Sequence, residues 1–131
     1  MSIDTIADML SALKNAAAAG KTEVVVPYSR FKEQLAKLLE SEGFAAEVRK
    51  FKEQGGSRFS LSIKLSCNSR GEPKIEQMRR ISRPGQRIYL PYTKIKSPSK
   101  GVKIVSTSQG LLTDKQARKK HLGGEVIAEV G

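Results

Sequence analysis

Three hydroxyl side chains followed by a glycine occur late in the chain, in the run Ser106-Thr107-Ser108-Gln109-Gly110. Short hydroxyls both donate and accept hydrogen bonds, so they can reach ribose 2′-OH groups, phosphates and base edges. The same residue types also suit an ordinary polar turn, and the run alone favours neither interpretation. We call residues 106–110 the hydroxyl loop. The neighbouring sequence must distinguish an RNA-contacting loop from an ordinary polar turn.

A basic stretch precedes the hydroxyl loop. The 131-residue chain has 24 Lys plus Arg and 13 Asp plus Glu, a formal net charge of +11, and residues 77–113 contain no acid. A solvated surface usually mixes both signs, whereas a dense basic field attracts polyanions because neutralised phosphates release counterions. We interpret the stretch as a nucleic-acid footprint, with a solvated face as the alternative. Its cations are Arg79, Arg80, Arg83, Arg87, Lys94, Lys96, Lys100 and Lys103.

The aromatic residues narrow the kind of nucleic acid. Trp is absent, and a platform for single strands needs several exposed rings. Phe31, Phe44, Phe51 and Phe59 are expected in the core. Double-helical, folded RNA is therefore favoured, with Tyr89 and Tyr92 left for a stacking contact.

Residues for catalysis or metal binding are sparse. The one histidine, His121, follows a short predicted helix, where a capping or surface role is commoner than general-base work. The single cysteine, Cys67, excludes an internal disulfide and a cysteine-based zinc site. Neither Gly55-Gly56 nor Gly123-Gly124 has the Lys-Ser/Thr partner of a phosphate-binding loop. We predict a non-enzymatic chain with no catalytic residue, metal, cofactor or small-molecule substrate.

Two alternatives belong to other classes. An RNA-modifying enzyme would need a polar catalytic cluster, and a DNA-binding architectural protein would place its cations on a recognition helix, whereas here they lie in predicted strands and loops. Membrane spans are excluded because no apolar run approaches the length of a bilayer crossing. The first ten residues carry acids where a signal peptide needs basic residues, so a cytosolic location is expected.

The elements that position these residues predict an α+β fold of two small subdomains. The first, residues 1–66, is an α/β unit in the order helix, strand, helix, strand, strand. Its second helix is capped by Ser29 and ended by Gly43. The last strand alternates, with Phe59, Leu61, Ile63 and Leu65 inward and Ser60, Ser62 and Lys64 outward. The predicted elements are residues 3–17, Glu23–Val26, the helix after Ser29, Phe44–Phe51 and Arg58–Leu65.

A polar, turn-rich linker, residues 67–74, separates this unit from a β-rich RNA-binding subdomain, residues 75–131, with one short helix. A turn is predicted at Pro84-Gly85, and Thr113 and Gln116 predict a capping box that starts the helix. The helix runs to about Lys120, and Gly123-Gly124 breaks it. The predicted strands are Ile75–Ile81, Arg87–Leu90, Val102–Ser106 and Glu125–Val130.

Several segments occur in the order typical of a known family. They are Asp4–Asn15, Pro27-Tyr28-Ser29, Glu42-Gly43-Phe44, Arg80-Ile81-Ser82-Arg83-Pro84-Gly85, the hydroxyl loop, and Gly123-Gly124-Glu125. Over nearly its whole length the chain resembles bacterial small-ribosomal-subunit protein eight. The hydroxyl loop and the Gly-Gly-Glu signature, with Ala117-Arg118 between them, are the most specific part and point to the bacterial and organellar branch.

The resemblance implies a structural constituent of the small ribosomal subunit that binds its ribosomal RNA. Family members grip a helical junction of the central domain, help assemble the platform, and repress translation of their own operon through a mimic RNA. Proteins five and twelve of the small subunit are the usual neighbours. The implied location is the ribosome, in the bacterial cytoplasm or in an organellar stroma or matrix.

Site residues follow from the resemblance by position. The main RNA-contacting residues are Ser106, Thr107, Ser108, Gly110, Gly123, Gly124, Glu125, Arg83, Pro84, Gly85, Arg87 and Tyr89, to which the basic stretch adds Lys103. A weaker RNA-contacting set in the first subdomain is Asp4, Thr5, Lys14, Asn15, Ser29 and Lys32. Lys14 is the only cation of the first helix, where the family tends to have an Arg near Ser11 or Ala12, so this contact is expected to be weaker.

Overall fold

The computed structural model describes the backbone of residues 3–131 and the side chains of residues 6–131. The side chains of Asp4 and Thr5 therefore lie outside the described residues. The predicted α+β class is confirmed, with a helix–strand unit followed by a strand-rich unit. The chain divides into two compact units, Met1–Glu76 (unit 1) and Gln77–Gly131 (unit 2).

The segment expected to be a linker, residues 67–74, belongs to unit 1. Cys67 and Pro73 form an antiparallel bridge, and the Lys74 amide donates to the Ser66 carbonyl at 2.8 Å. These pairings close the polar segment into a loop on the sheet of unit 1, so polarity here marks a surface loop. The division between the units falls between Glu76 and Gln77.

Unit 1 places two helices beside a three-stranded antiparallel sheet of order β1-β3-β2. Helix α2 begins after Ser29, whose hydroxyl accepts from the Lys32 amide at 3.1 Å, as the capping prediction requires. Leu13 of α1, Leu35 of α2 and Leu61 of β3 are fully buried and lie in the core of the unit. The bounds are α1 Ile3–Ala18, β1 Glu23–Pro27, α2 Arg30–Ser41, β2 Ala45–Lys52 and β3 Phe59–Leu65.

Two side chains of β3 depart from the predicted alternation. Phe59 was expected in the core but is 44% exposed. The alternation of apolar and polar residues predicts which face of the sheet a side chain is on, but not how much of that face the helices cover. Ser62 was expected to point to solvent but is buried. Its hydroxyl donates to the Glu23 carboxylate at 2.9 Å, and β3 is the central strand, so side chains from both neighbours cover it. The other phenylalanines are half-buried at Phe31, Phe44 and Phe51.

Unit 2 is built around β8, an antiparallel partner of β4, β5 and β6. Strand β6 also pairs with β7, which gives the order β4-β8-β6-β7 with β5 pairing β8 off this path. Ile95, Val105, Leu112 and Ala117 form a buried cluster under α3. The bounds are β4 Met78–Arg80, β5 Tyr89–Leu90, a 3-10 helix Tyr92–Lys94, β6 Val102–Thr107, β7 Gly110–Thr113, α3 Asp114–Lys119 and β8 Gly124–Val130.

The capping box predicted in unit 2 is confirmed. The Thr113 hydroxyl accepts from the Gln116 amide at 3.2 Å, and the Gln116 side chain accepts from the Thr113 amide at 3.0 Å. Strands β4 and β5 are shorter than the predicted Ile75–Ile81 and Arg87–Leu90. Strand β7 was missed, because its four residues follow the turn of a tight hairpin and only cross-strand pairing with β6 defines them.

We expect Leu61→Ala to destabilise unit 1 by about 2–5 kcal/mol, because Leu61 is fully buried and its loss leaves a cavity. Denaturant unfolding followed by circular dichroism measures the effect. Val25→Ala is the matched control, since Val25 is 53% exposed on the same sheet and should change stability by no more than about 0.5 kcal/mol. Equal unfolding curves for the two variants would contradict the assigned core.

Candidate RNA-binding surface

The hydroxyl loop is the tip of the β6–β7 hairpin. Thr107 and Gly110 are cross-strand partners at its last pair. The Thr107 hydroxyl donates to the Gly110 carbonyl at 2.8 Å and accepts from the Gln109 amide at 3.1 Å. Thr107 therefore holds the turn together, while Ser108 at the tip is exposed. The turn interpretation therefore holds for Thr107, and the turn leaves Ser108 exposed to solvent.

A row of side chains crosses the sheet beside this tip. Ser106 on β6 lies directly opposite Glu125 on β8, and Glu125 lies opposite Tyr89 on β5. Directly opposite residues share a face of the sheet with Cβ atoms about 5 Å apart. Ser106, Glu125 and Tyr89 therefore form one continuous row, which we call the hydroxyl row. Tyr89 is 64% exposed, and Arg87 adds a cation, with Nη1 3.6 Å from the Glu125 carboxylate.

A tight turn presents a second cation of the predicted set. Arg83 and Gln86 exchange backbone hydrogen bonds of 3.1 and 3.0 Å, and Gly85 has φ +79°. A positive φ after proline is the geometry of a type II turn, as Pro84-Gly85 predicted. Ser82 is buried at the base, where its hydroxyl accepts from the Ile88 amide at 2.9 Å. Arg83 is thereby held exposed at the end of a closed loop.

The glycine pair after α3 positions the hydroxyl row. A Cβ on Gly124 would lie 2.0 Å from the Ser106 carbonyl oxygen, and one on Gly123 would lie 2.6 Å from the Leu90 carbonyl oxygen. Real Cβ atoms never approach backbone so closely, so only glycine lets β8 begin between β6 and the end of β5. Because the backbones of β6 and β8 approach closely at these glycines, Ser106 and Glu125 come to lie opposite each other. The Gly-Gly-Glu signature, which the sequence analysis assigned to RNA contact, therefore also has a structural role.

The carboxylates of unit 2 are largely buried. Residues 77–131 contain twelve Lys plus Arg and three acids. Each acid pairs with an arginine: Glu129 with Arg79 at 2.8 Å, Glu125 with Arg87 at 3.6 Å, and Asp114 with Arg118 at 3.3 Å. The three acidic side chains are only 11%, 14% and 0% exposed. The exposed charge of this unit is therefore overwhelmingly positive, which favours a polyanionic partner.

Asp114 is the centre of a polar network that sequence reasoning missed. Its carboxylate accepts from the Ser97 hydroxyl, from the Lys103 amide at 2.9 Å and from the Arg118 guanidinium. Arg118 also donates to the Ile95 carbonyl at 3.0 Å. The network ties α3 to the loop that precedes β6, so it fixes the strand that carries the hydroxyl row. Asp114 and Arg118 are four residues apart on α3, whereas Ser97 and Lys103 lie 17 and 11 residues from Asp114, so no local pattern reveals these two contacts.

Lys103 lies outside the hydroxyl row. It is opposite Glu129 on β8, and Glu129 is in turn opposite Arg79 on β4. These three residues form a second row of mixed charge. Tyr92, considered for stacking on RNA, instead stacks on His121 with ring centroids 4.7 Å apart.

The weaker predicted set in unit 1 is only partly accessible. Lys14 and Asn15 are exposed near the end of α1. Lys32 is 7% exposed and the Ser29 hydroxyl is engaged as the cap of α2. Lys32 therefore presents little surface to a phosphate, whereas the Ser29 hydroxyl accepts from an amide and keeps its own O–H to donate.

Within the part of the chain that the structure describes, His, Cys, Asp and Glu side chains form no group of three or more that could hold a metal ion. Among the same residues, no helix has the length and apolar character needed to cross a bilayer.

Comparison with known proteins decides the family. The family model for ribosomal protein S8 matches residues 4–130. The chain belongs to this family. It is 40% identical over 132 residues to small ribosomal subunit protein uS8 of Sorangium cellulosum, covering 99% of both chains. It is 42% identical over 135 residues to the protein of that name from Persephonella marina, again covering 99% of both chains. With the one from Deinococcus deserti it shares 44% identity over 126 residues, 95% of each chain.

Membership in the ribosomal protein S8 family confirms the recognition made from the motifs. The chain is a structural, non-enzymatic constituent of the small ribosomal subunit, and binding to ribosomal RNA follows from the family. The prediction of a chain without catalytic activity is confirmed by the same finding.

Gly124→Ala should weaken the pairing of β6 with β8 by at least about 1–3 kcal/mol, because the new methyl group meets a backbone carbonyl at 2.0 Å that cannot rotate away. Hydrogen exchange of the β6 and β8 amides measures the loss of protection. Gly56→Ala is the control, since its Cβ meets the nearest atom at 3.3 Å. Unchanged exchange in Gly124→Ala would contradict the close approach.

Proposed function

We propose that unit 2 is a primary binder of the central domain of small-subunit ribosomal RNA, at a helical junction, and that this binding helps assemble the platform. The observation that carries the proposal is that the hydroxyl loop and the hydroxyl row lie at the same end of the paired strands β6 and β8, within a unit whose carboxylates are paired and nearly buried. The family resemblance supports the same RNA region.

The chemistry of the surface suits an RNA helix more than an unstructured strand. Ser106 and Ser108 can donate to and accept from ribose 2′-OH groups, which a wide, shallow RNA minor groove displays. Tyr89 offers a ring for one base, and Arg83 offers a charge for a phosphate. Glu125 is compensated by Arg87 at 3.6 Å, so its oxygens can accept from a 2′-OH or an amino group with little repulsion of nearby phosphates. The proposed contacts also include Thr107, Gly110, Gly123, Gly124, Pro84 and Gly85, as backbone that shapes the surface, and Lys103 at its margin.

Dependence on 2′-OH groups separates this proposal from the DNA-binding alternative. A surface that uses hydroxyls to contact riboses loses those partners on a deoxy backbone. We therefore expect a DNA junction of the same sequence to bind much more weakly than the RNA junction at one salt concentration. Equal affinity for both would favour a purely electrostatic footprint.

A smaller contact surface in unit 1 completes the proposal. Lys14 and Asn15 are exposed on α1, and Asp4 and Thr5 belong to the same helix. We further propose small-subunit proteins five and twelve as neighbours, as the resemblance implies. We also propose repression of the chain's own message, since a surface that binds RNA by shape accepts a messenger structure that mimics the junction.

Ser108→Ala should reduce affinity for a central-domain junction RNA by about 1–3 kcal/mol, because a hydroxyl contact in a desolvated interface is lost. Titration of labelled RNA at fixed salt measures the change. Ser69→Ala, which removes an exposed hydroxyl from unit 1, is the matched control and should bind as the parent does. Unchanged affinity in Ser108→Ala, with an intact fold, would leave the hydroxyl loop as a turn only.

Arg83→Gln should flatten the dependence of log affinity on log salt by about 0.7–0.9, because one phosphate contact and its released counterion are lost. The loss should be nearly equal for RNAs that share the junction shape, since phosphate contacts carry no sequence information. Arg87→Gln should change the slope less, because Glu125 already compensates that cation. Lys37→Gln, at an exposed position of α2, is the control for the change in net charge. If the two variants had equal salt slopes, a specific phosphate contact at Arg83 would be excluded.

A further inference from the structure

Unit 1 carries a groove of about 730 Å³ that the proposed function does not use. It lies where the β2–β3 hairpin meets the end of β1, and its lining includes Tyr28, Glu53, Ser57, Arg58, Phe59 and Ser60. The lining combines two aromatic rings, one guanidinium, one carboxylate and two hydroxyls. This mixture contains the groups that proteins use to hold an unpaired nucleotide.

The aromatic part of the groove is held in place before any ligand arrives. The Lys50 ammonium lies 4.0 Å from the centroid of the Tyr28 ring and 4.5 Å from that of the Phe59 ring. Both distances are within cation–π range, so one side chain of β2 contacts the faces of two rings. The Tyr28 amide also donates to the Phe59 carbonyl at 3.0 Å. Phe59 nevertheless remains 44% exposed, which leaves ring surface available for stacking.

The charges around the rings suit a phosphodiester. Arg58 lines the groove next to Phe59, and Lys52 lies directly opposite Phe59 on β2. Lys50 is on the same strand, and all three cations are exposed. One acid, Glu53, lines the groove with them. A carboxylate in a cationic setting is suited to accept hydrogen bonds from a base amino group while the cations face the backbone.

We propose that this groove binds an unpaired RNA nucleotide whose base carries an exocyclic amino group. The base stacks on Phe59, Arg58 binds the adjacent phosphate, and Glu53 accepts from the amino group. Cytosine presents N4–H₂ at this edge, whereas uracil presents a carbonyl oxygen that a carboxylate repels. The ligand class is single-stranded RNA, which distinguishes this site from the helical RNA proposed for unit 2.

The test uses the full chain and fluorescently labelled oligonucleotides of about six ribonucleotides, a length within the range of single-strand sites. Anisotropy titrations at one salt concentration compare oligocytidine with oligouridine. We expect the parent chain to bind oligocytidine at least about fivefold more tightly than oligouridine. Chemical-shift mapping of backbone amides should locate the bound oligocytidine at residues 57–60.

Three variants test the assigned roles. Phe59→Leu keeps an apolar side chain and should weaken binding of both oligonucleotides by roughly five- to a hundredfold, because a stacking ring is lost. Glu53→Gln should remove the preference for oligocytidine, since an amide can also donate to the uracil oxygen. Val25→Ala, which changes another exposed apolar residue of the same sheet, should bind as the parent does. Melting temperatures verify that each variant is folded.

The outcomes are distinguishable from those of the proposed function. Ser108→Ala should leave oligonucleotide binding unchanged, and Phe59→Leu should leave binding to a double-helical junction unchanged. Oligocytidine shifts confined to unit 2, a preference that persists in Glu53→Gln, or unchanged affinity in Phe59→Leu would each overturn the nucleotide site. Absence of any oligonucleotide binding by the parent would also overturn it and leave the groove for a protein neighbour.

Discussion

Close backbone approach at the start of β8 is the constraint on which the proposed RNA-binding surface depends. β8 pairs with β4, β5 and β6, so it collects residues from four separate segments into one sheet. The Gly124 backbone lies where any side chain would meet the Ser106 carbonyl oxygen. Without that approach, Ser106, Glu125 and Tyr89 would not form a row. The surface is therefore an outcome of strand pairing more than of any single residue that touches RNA.

Pairing of acids with arginines gives unit 2 its electrostatic character. The chain does not simply lack carboxylates there; it places each one against a guanidinium and removes it from solvent. Asp114 is the most buried of the three acids, and its oxygens also accept hydrogen bonds from the Ser97 hydroxyl and the Lys103 amide. Such a group stabilises the fold through hydrogen bonds and adds little negative charge to the surface, so the exposed charge of unit 2 is mostly positive.

The two units offer RNA different chemistry. Unit 2 presents hydroxyls and cations where paired strands of one sheet end, which suits the regular backbone of a helix. Unit 1 presents two ordered rings beside Lys50, which suits a base that has left its stack. Exposure of Phe59 makes this difference possible, and it arises because the ring begins β3 at the end of the sheet, where alternation no longer ensures cover.

Local signals in the sequence determined the elements that they encode directly: the Ser29 cap, the Thr113–Gln116 capping box, the Pro84-Gly85 turn and the strand around Leu61. The motifs likewise identified the family, since their order along the chain can be compared with other sequences without knowledge of the structure. Only the tertiary structure decided which side chains remain accessible. In the folded chain Lys32 is buried and Phe59 is exposed. The Thr107 hydroxyl is hydrogen-bonded within its own turn, and Lys103 lies opposite Glu129, outside the hydroxyl row. Thr107 is engaged by residues two and three positions away. The burial of Lys32, the exposure of Phe59 and the position of Lys103 depend on partners distant in sequence, and local propensity carries no information about cross-strand register or burial.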